Sequence, residues 1–239
     1  MRIEEIAHTL GAEVFRAEVG EANVVNLARE KRAEGFNVRI LGEGSNGGTI
    51  TYPASVRDPL NTIFAILKLL LMKDNALFKN WCEKAHKDYK ENYSLTDILD
   101  TIPKYTTTGV TESRALLKIK SENHSKLKKS FQEYFEKEWN EKKEHLKKSF
   151  GITDYEVSIT NGTKERNHIN DFSQSEKGGL KIIFKDSSSK NLAFIWMRGS
   201  GTEKVFRILC DVKGNDEKSV KMEKELLEWE TSLIEKADK

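Results

Sequence analysis

Two short stretches combine side chains and glycines that can do chemistry. Near the C-terminus, "NLAFIWMRGSGTEKVFRILCDV" (191–212) sets Arg, Gly, Ser, Gly and Thr between two apolar runs. Gly199 and Gly201 allow a nest of backbone N–H groups. Ser200 and Thr202 add hydroxyl donors, and Arg198 offers a planar two-pronged fork. Together they suit a phosphate. Each charge-assisted hydrogen bond is worth roughly 1.5–3 kcal/mol, so four or five would hold a sugar phosphate at micromolar strength after the costs of binding. The spacing fits equally well a tight turn whose arginine is merely exposed. No helix follows, so the segment is neither a Walker loop nor a dinucleotide turn.

The second stretch is "ILGEGSNGGTI" (40–50). Gly42, Gly44 and Gly47 satisfy G-x-G-x-x-G after an expected strand, yet Thr49–Pro53 reads as extended where a dinucleotide site needs a helix. Glu43 also argues against phosphate, since a carboxylate about 4 Å from a phosphate charge costs on the order of 4 kcal/mol at an effective dielectric of 20. Glu43 and Ser45 make better acceptors for neutral hydroxyls, such as a vicinal sugar diol. A purely structural glycine turn fits this loop as well.

The elements that position these loops follow from periodicity. A helix ended by Gly11, a strand at Ala12–Val19, a helix closed by Gly35 and a strand at Asn37–Leu41 alternate in the first part. A helix starts after "RDP" (57–59), and a polar helical stretch covers 73–92. This alternation points to an α/β layer with a parallel or mixed sheet. "IFAILKLLLM" (63–72) is too short for a membrane span of about 20 residues and reads as a buried core helix. "SLTDILDTIPKYTTTGVTES" breaks the pattern with Pro103, a Thr run and Gly109, so residues 93–113 form the expected linker. Beyond it come a strand in "RALLKIK", a long helix at 122–149, strands at 155–160, 179–184, 191–197 and 204–212, and a last helix at 216–237. Strands bracketed by helices predict an α+β domain at 114–239, its antiparallel sheet packed by helices. The long helix places Leu127, Phe131, Phe135, Trp139, Leu146 and Phe150 on or near one stripe, and its interleaved lysines and glutamates read as a solvated face.

Composition excludes more than it identifies. The 239 residues are 37% hydrophobic and 33% charged, enough for one large or two ordinary domains. A net charge of +2 gives no global field to draw nucleic acid or a membrane. Cys82 and Cys210 lack metal-ligand spacing and fit reduced thiols in a cytoplasmic protein.

The two loops resemble one family when taken together. "GEGSNGG" (42–48) resembles the sugar-recognition loop of the α-D-phosphohexomutases, the phosphoglucomutase/phosphomannomutase family. "RGSGTEKVFRI" (198–208) resembles the phosphate-binding loop of that family's last domain. "LDTIPKY" looks like the link between its third and fourth domains, and "GAEVFRAEVGEANV" is similar to the strand and turn before the sugar loop. The resemblance implies the C-terminal half of such an enzyme. Residues 1–92 would be an incomplete α/β/α sandwich that binds sugar, and 114–239 the phosphate-binding fourth domain. It implies that Glu43 and Ser45 bind ring hydroxyls, that Arg198, Ser200, Gly201 and Thr202 grip the phosphate not being transferred, and that Arg207 supports the loop. The expected partner is glucose or mannose 1- or 6-phosphate.

The family carries its transferred phosphoryl group on a Ser-His-Asn-Pro loop and its Mg²⁺ on an Asp-Gly-Asp-Gly-Asp-Arg loop, and neither pattern occurs in these residues. The chain is therefore expected to hold no catalytic residue, metal or cofactor of its own. Mg²⁺ and hexose 1,6-bisphosphate belong to the full-length isomerase, with the half that carries those loops as a partner. Gly199 and Lys204 stand where the family usually has proline. A non-enzymatic sugar-phosphate-binding module, or a subunit completed by a partner chain, is the rival expectation.

Overall fold

Two glutamates in its first turn, favourable at the positive end of the helix dipole, and Gly11 in the left-handed region at φ 77° bound helix α1 (Arg2–Thr9). The computed structural model describes residues 1–42, 49–72, 76–199 and 205–239. They divide into two units, one of Met1–Phe15 and Gly20–Lys104, the other of Arg16–Val19 and Tyr105–Lys239. The architecture is mixed α and β, with antiparallel sheets and helices, as in an α+β fold.

In the first unit α1 is followed by α2 (Glu21–Ala33), strands β1 (Ile40–Gly42) and β2 (Thr49–Thr51), and helices α3 (Pro59–Leu71), α4 (Leu77–Ala85) and α5 (Leu95–Thr101). β1 and β2 pair antiparallel with Gly42 opposite Thr49, and no parallel pairing occurs among the described residues. Residues 12–18 form no strand, contrary to the sequence reading. A small aromatic core joins Phe78, Trp81 and Tyr93 to Cys82, with Leu69 and Leu70 packed at its edge.

Helix α3 departs most from expectation. Asp58 caps it, accepting from Asn61 N at 3.1 Å, and Pro59 takes the first turn, where its missing N–H costs nothing. Yet none of its residues is buried. Leu60, Phe64 and Leu71 are 65%, 64% and 76% exposed, and Ile63 and Leu67 continue the same i, i+3, i+4, i+7 stripe. The described sheet of this unit is two three-residue strands, too small a layer to cover thirteen apolar-rich residues.

The second unit holds the large core. Strands β3 (Tyr105–Thr107), β4 (Leu116–Lys118), β5 (Asp154–Asn161), β6 (Lys164–Asn167), β7 (Gly179–Lys185), β8 (Asn191–Gly199) and β9 (Val205–Lys213) form one antiparallel sheet. Its order is β3-β9-β8-β7-β5-β6, with β4 also on β9. Period-2 alternation assigns the faces. Leu180, Ile182, Phe184, Ala193, Ile195, Met197, Phe206, Ile208 and Cys210 point to one side, against α6 (His124–Phe150) and α7 (Glu217–Ala237). On α6 the expected stripe is buried at Leu127, Phe131, Phe135, Leu146 and Phe150, while Trp139 is partly buried. Lys128 breaks the solvated-face reading, being fully buried on that stripe. The opposite face of the sheet presents Phe194, Trp196, Arg198, Arg207 and Leu209, exposed or half-buried.

Candidate anion-binding site

β8 ends at Gly199 and β9 begins at Val205, on either side of the expected loop. Ser200, Gly201 and Thr202 lie outside the described residues, as do Glu43 and Ser45 between β1 and β2. Arg198 and Arg207, which flank the loop, are both described. They face each other directly across β8 and β9, so their side chains leave the same, open face of the sheet. Like charges directly opposite destabilise a sheet unless something sits between or beside them.

A carboxylate sits beside one of them. Glu18, buried at 6% exposure, places Oε1 2.9 Å from Arg198 Nε. The pair is close but lies off the N–H axis and is not an aligned hydrogen bond. Three other donors hold Glu18 in place. Oε2 accepts from the Thr160 hydroxyl at 2.6 Å and from the Gly179 N–H, and Oε1 accepts from Val19 N at 3.0 Å. Its own N–H donates to Gly162 O at 2.9 Å. The 16–19 strip is thereby pinned to β5 and β7 by hydrogen bonds rather than by a strand ladder. That explains why its apolar alternation misleads.

Glycines make this approach possible. A Cβ on Gly179 would stand 2.7 Å from the Thr160 hydroxyl and 2.6 Å from Trp196 Nε1, and one on Gly178 would overlap the Thr160 carbonyl at 2.0 Å. Under the same corner Lys128 Nζ donates to Glu176 O at 2.8 Å and Gly178 O at 2.6 Å. Burial pushes its ammonium down to about 7, against a smaller opposing pull from Glu18. The lysine ties α6 to the turn that presents the Gly179 N–H.

On the core side of the same strand end lies His124, first residue of α6. Its cap, Asn123, accepts from Lys126 N at 2.9 Å. The imidazole lies against the Cα of Gly199, where a Cβ would come within 2.1 Å of the ring, and meets Phe206 edge-on at 5.1 Å. It is buried, and its Nδ1 has no hydrogen-bond partner among the described residues. Burial first, then the lysines 128 and 177, push its pKa down, which favours the neutral ring. Gly199, expected as a nest residue, is thus needed for close packing against a histidine.

The terminal nitrogens of Arg198 have no partner among the described residues, and its side chain is 29% exposed. The corner therefore offers an oriented guanidinium and a second arginine opposite, which can hold an anion of phosphate size. Among the described residues no three metal-ligating side chains are grouped to hold an ion, and no helix is long and apolar enough to cross a membrane. Sequence reading missed Glu18, His124 and Lys128. For the last two a signal existed. They stand one turn apart and lead into the Phe131–Phe135 stripe, where a solvated lysine has no place. No family model matches the chain, and no curated protein matches it either.

Proposed function

We propose that this chain is the hexose-phosphate-binding half of a phosphohexomutase. In this reading the first unit corresponds to the family's sugar-binding third domain, an incomplete α/β/α sandwich. The second corresponds to its phosphate-binding fourth domain. Arg198, with Ser200, Gly201 and Thr202, grips the phosphate that is not being transferred. Arg207 neutralises charge on the same face, and Glu43 and Ser45 accept from ring hydroxyls. The intact enzyme exchanges phosphate reversibly between the 1- and 6-oxygens of a hexose, and its phosphoserine and Mg²⁺ loops lie outside these residues. Phosphoryl transfer depends on positioning and on neutralising developing charge, so a clamp on the distal phosphate serves either direction. No step of this reading runs through a metal on this chain.

One observation carries the reading. Two arginines oppose each other at the ends of the strands that flank Arg-Gly-Ser-Gly-Thr, and the donors of Arg198 that could fork onto a phosphate are unspent among the described residues. Titration of the 239-residue chain with glucose 6-phosphate, followed by calorimetry and NMR shifts, tests it. Saturable binding is expected, with none to glucose. Arg198→Ala is expected to weaken it about ten- to hundredfold, the equivalent of one charge-assisted contact. No heat and no shifts at millimolar glucose 6-phosphate would overturn the reading. The chain alone is expected to leave glucose 1-phosphate unchanged in a coupled assay, and turnover at an enzymatic rate would contradict the assignment of chemistry to other loops.

A further inference from the structure

We infer that Glu18 is a positioning residue for Arg198, holding its guanidinium where an incoming phosphate group meets it. The inference rests on the reading of Arg198 as a phosphate ligand. Among the described residues Arg198 has one polar side-chain contact, the ion pair with Glu18. Glu18, by contrast, is anchored independently of Arg198 by the Thr160 hydroxyl and the Gly179 and Val19 N–H groups. The carboxylate is therefore the rigid partner and the guanidinium the one being placed. The contact engages Nε and leaves both terminal nitrogens, the two that fork onto a phosphate, unspent among the described residues. An unanchored arginine loses rotamer freedom on binding, so prior placement raises affinity without any new contact to the ligand.

Glu18 also carries a negative charge near an anion site, and that opposes binding. Three donors already spend most of this charge, and the carboxylate lies behind the guanidinium on its Nε side. Positioning is expected to outweigh repulsion. Nothing about a glutamate in "RAEVG" points to this role in the sequence. It follows from the place of strip 16–19 within the C-terminal unit.

A double-mutant cycle separates this role from mere support of the fold. Dissociation constants for glucose 6-phosphate would be measured by NMR titration, which reaches millimolar values, on wild type, Glu18→Gln, Arg198→Ala and the double variant. Glu18→Gln is expected to weaken binding about tenfold while Arg198 is present, and less than about twofold in the Arg198→Ala background. Thr160→Ala, which loosens Glu18 from the far side and keeps both charges, serves if Glu18→Gln does not fold. It is expected to weaken binding a few-fold, again only in the presence of Arg198. Equal losses in both backgrounds, unchanged binding or tighter binding would each overturn the inference while leaving the phosphate site standing. Absence of binding by wild type, or no effect of Arg198→Ala, would remove the site itself and the inference with it.

Discussion

Glu223 and Glu230 are both buried on α7, two turns apart, and their surroundings are opposite. Glu223 accepts from the Thr108 hydroxyl and from Arg114 Nη1, the latter at 2.9 Å. Neither oxygen of Glu230 has a partner among the described residues, and burial raises its pKa well above 4.5. A carboxyl raised in the fold keeps a proton that the unfolded chain releases, so stability falls as pH climbs from 4.5 through the folded value. Thermal melts from about pH 5 to 8 are expected to fall less steeply in Glu230→Gln than in wild type, the difference reaching at most about 1.4 kcal/mol per pH unit. A parallel pair of curves would show that Glu230 does not titrate in this range. Gly199 offers a second test at this scale. With a Cβ 2.1 Å from the His124 ring, Gly199→Ala is expected to cost about 1–3 kcal/mol, measured by urea unfolding. Combining it with His124→Ala should recover part of that loss, because the ring is what the methyl meets.

Elements were legible where one periodicity dominated. Large apolar residues at helical spacing announced α6, and alternation announced β5, β7, β8 and β9 to within a few residues. β6 was not legible because "KERN" is a short polar edge strand with no apolar face. The linker concealed α5, whose start has Ser94 and Asp97 capping each other, because Pro103 and the threonines behind it read as a break. The site was half legible. Arg198 and Arg207 showed in spacing, whereas the carboxylate beside Arg198 comes from a segment near the other end of the chain. Caps are testable at this scale. Asn123→Ala removes the acceptor for Lys126 N and is expected to cost about 1 kcal/mol by denaturant unfolding. The same change should also loosen His124 against Gly199, visible as a shift of the imidazole resonances.

At the level of the whole molecule, the boundary after Lys104 does not separate two continuous pieces of chain, since the C-terminal unit borrows Arg16–Val19 from far upstream. A fragment of residues 105–239 keeps both helices and every strand of the large sheet, so it is expected to unfold cooperatively. Without Glu18, however, the Gly179 N–H and the Thr160 hydroxyl lose their acceptor. Its melting temperature should lie below that of the same unit in the full chain by roughly 5–10 °C. Identical melting would mean that the borrowed strip adds nothing to stability.

That borrowed strip also sets an order of events during folding. Its contacts to Thr160 and Gly179 close loops of 142 and 161 residues. The hairpins β7–β8 and β8–β9 join neighbours in the chain and close over a few positions. Loop-closure entropy delays the longest closures until local structure can receive them. During synthesis Glu18 leaves the ribosome long before its docking surface exists, and its carboxylate must wait for Thr160 and Gly179 to emerge. Strengthening or weakening its grip should therefore change how fast the finished sheet lets go of the strip, and leave the rate at which the sheet assembles nearly untouched.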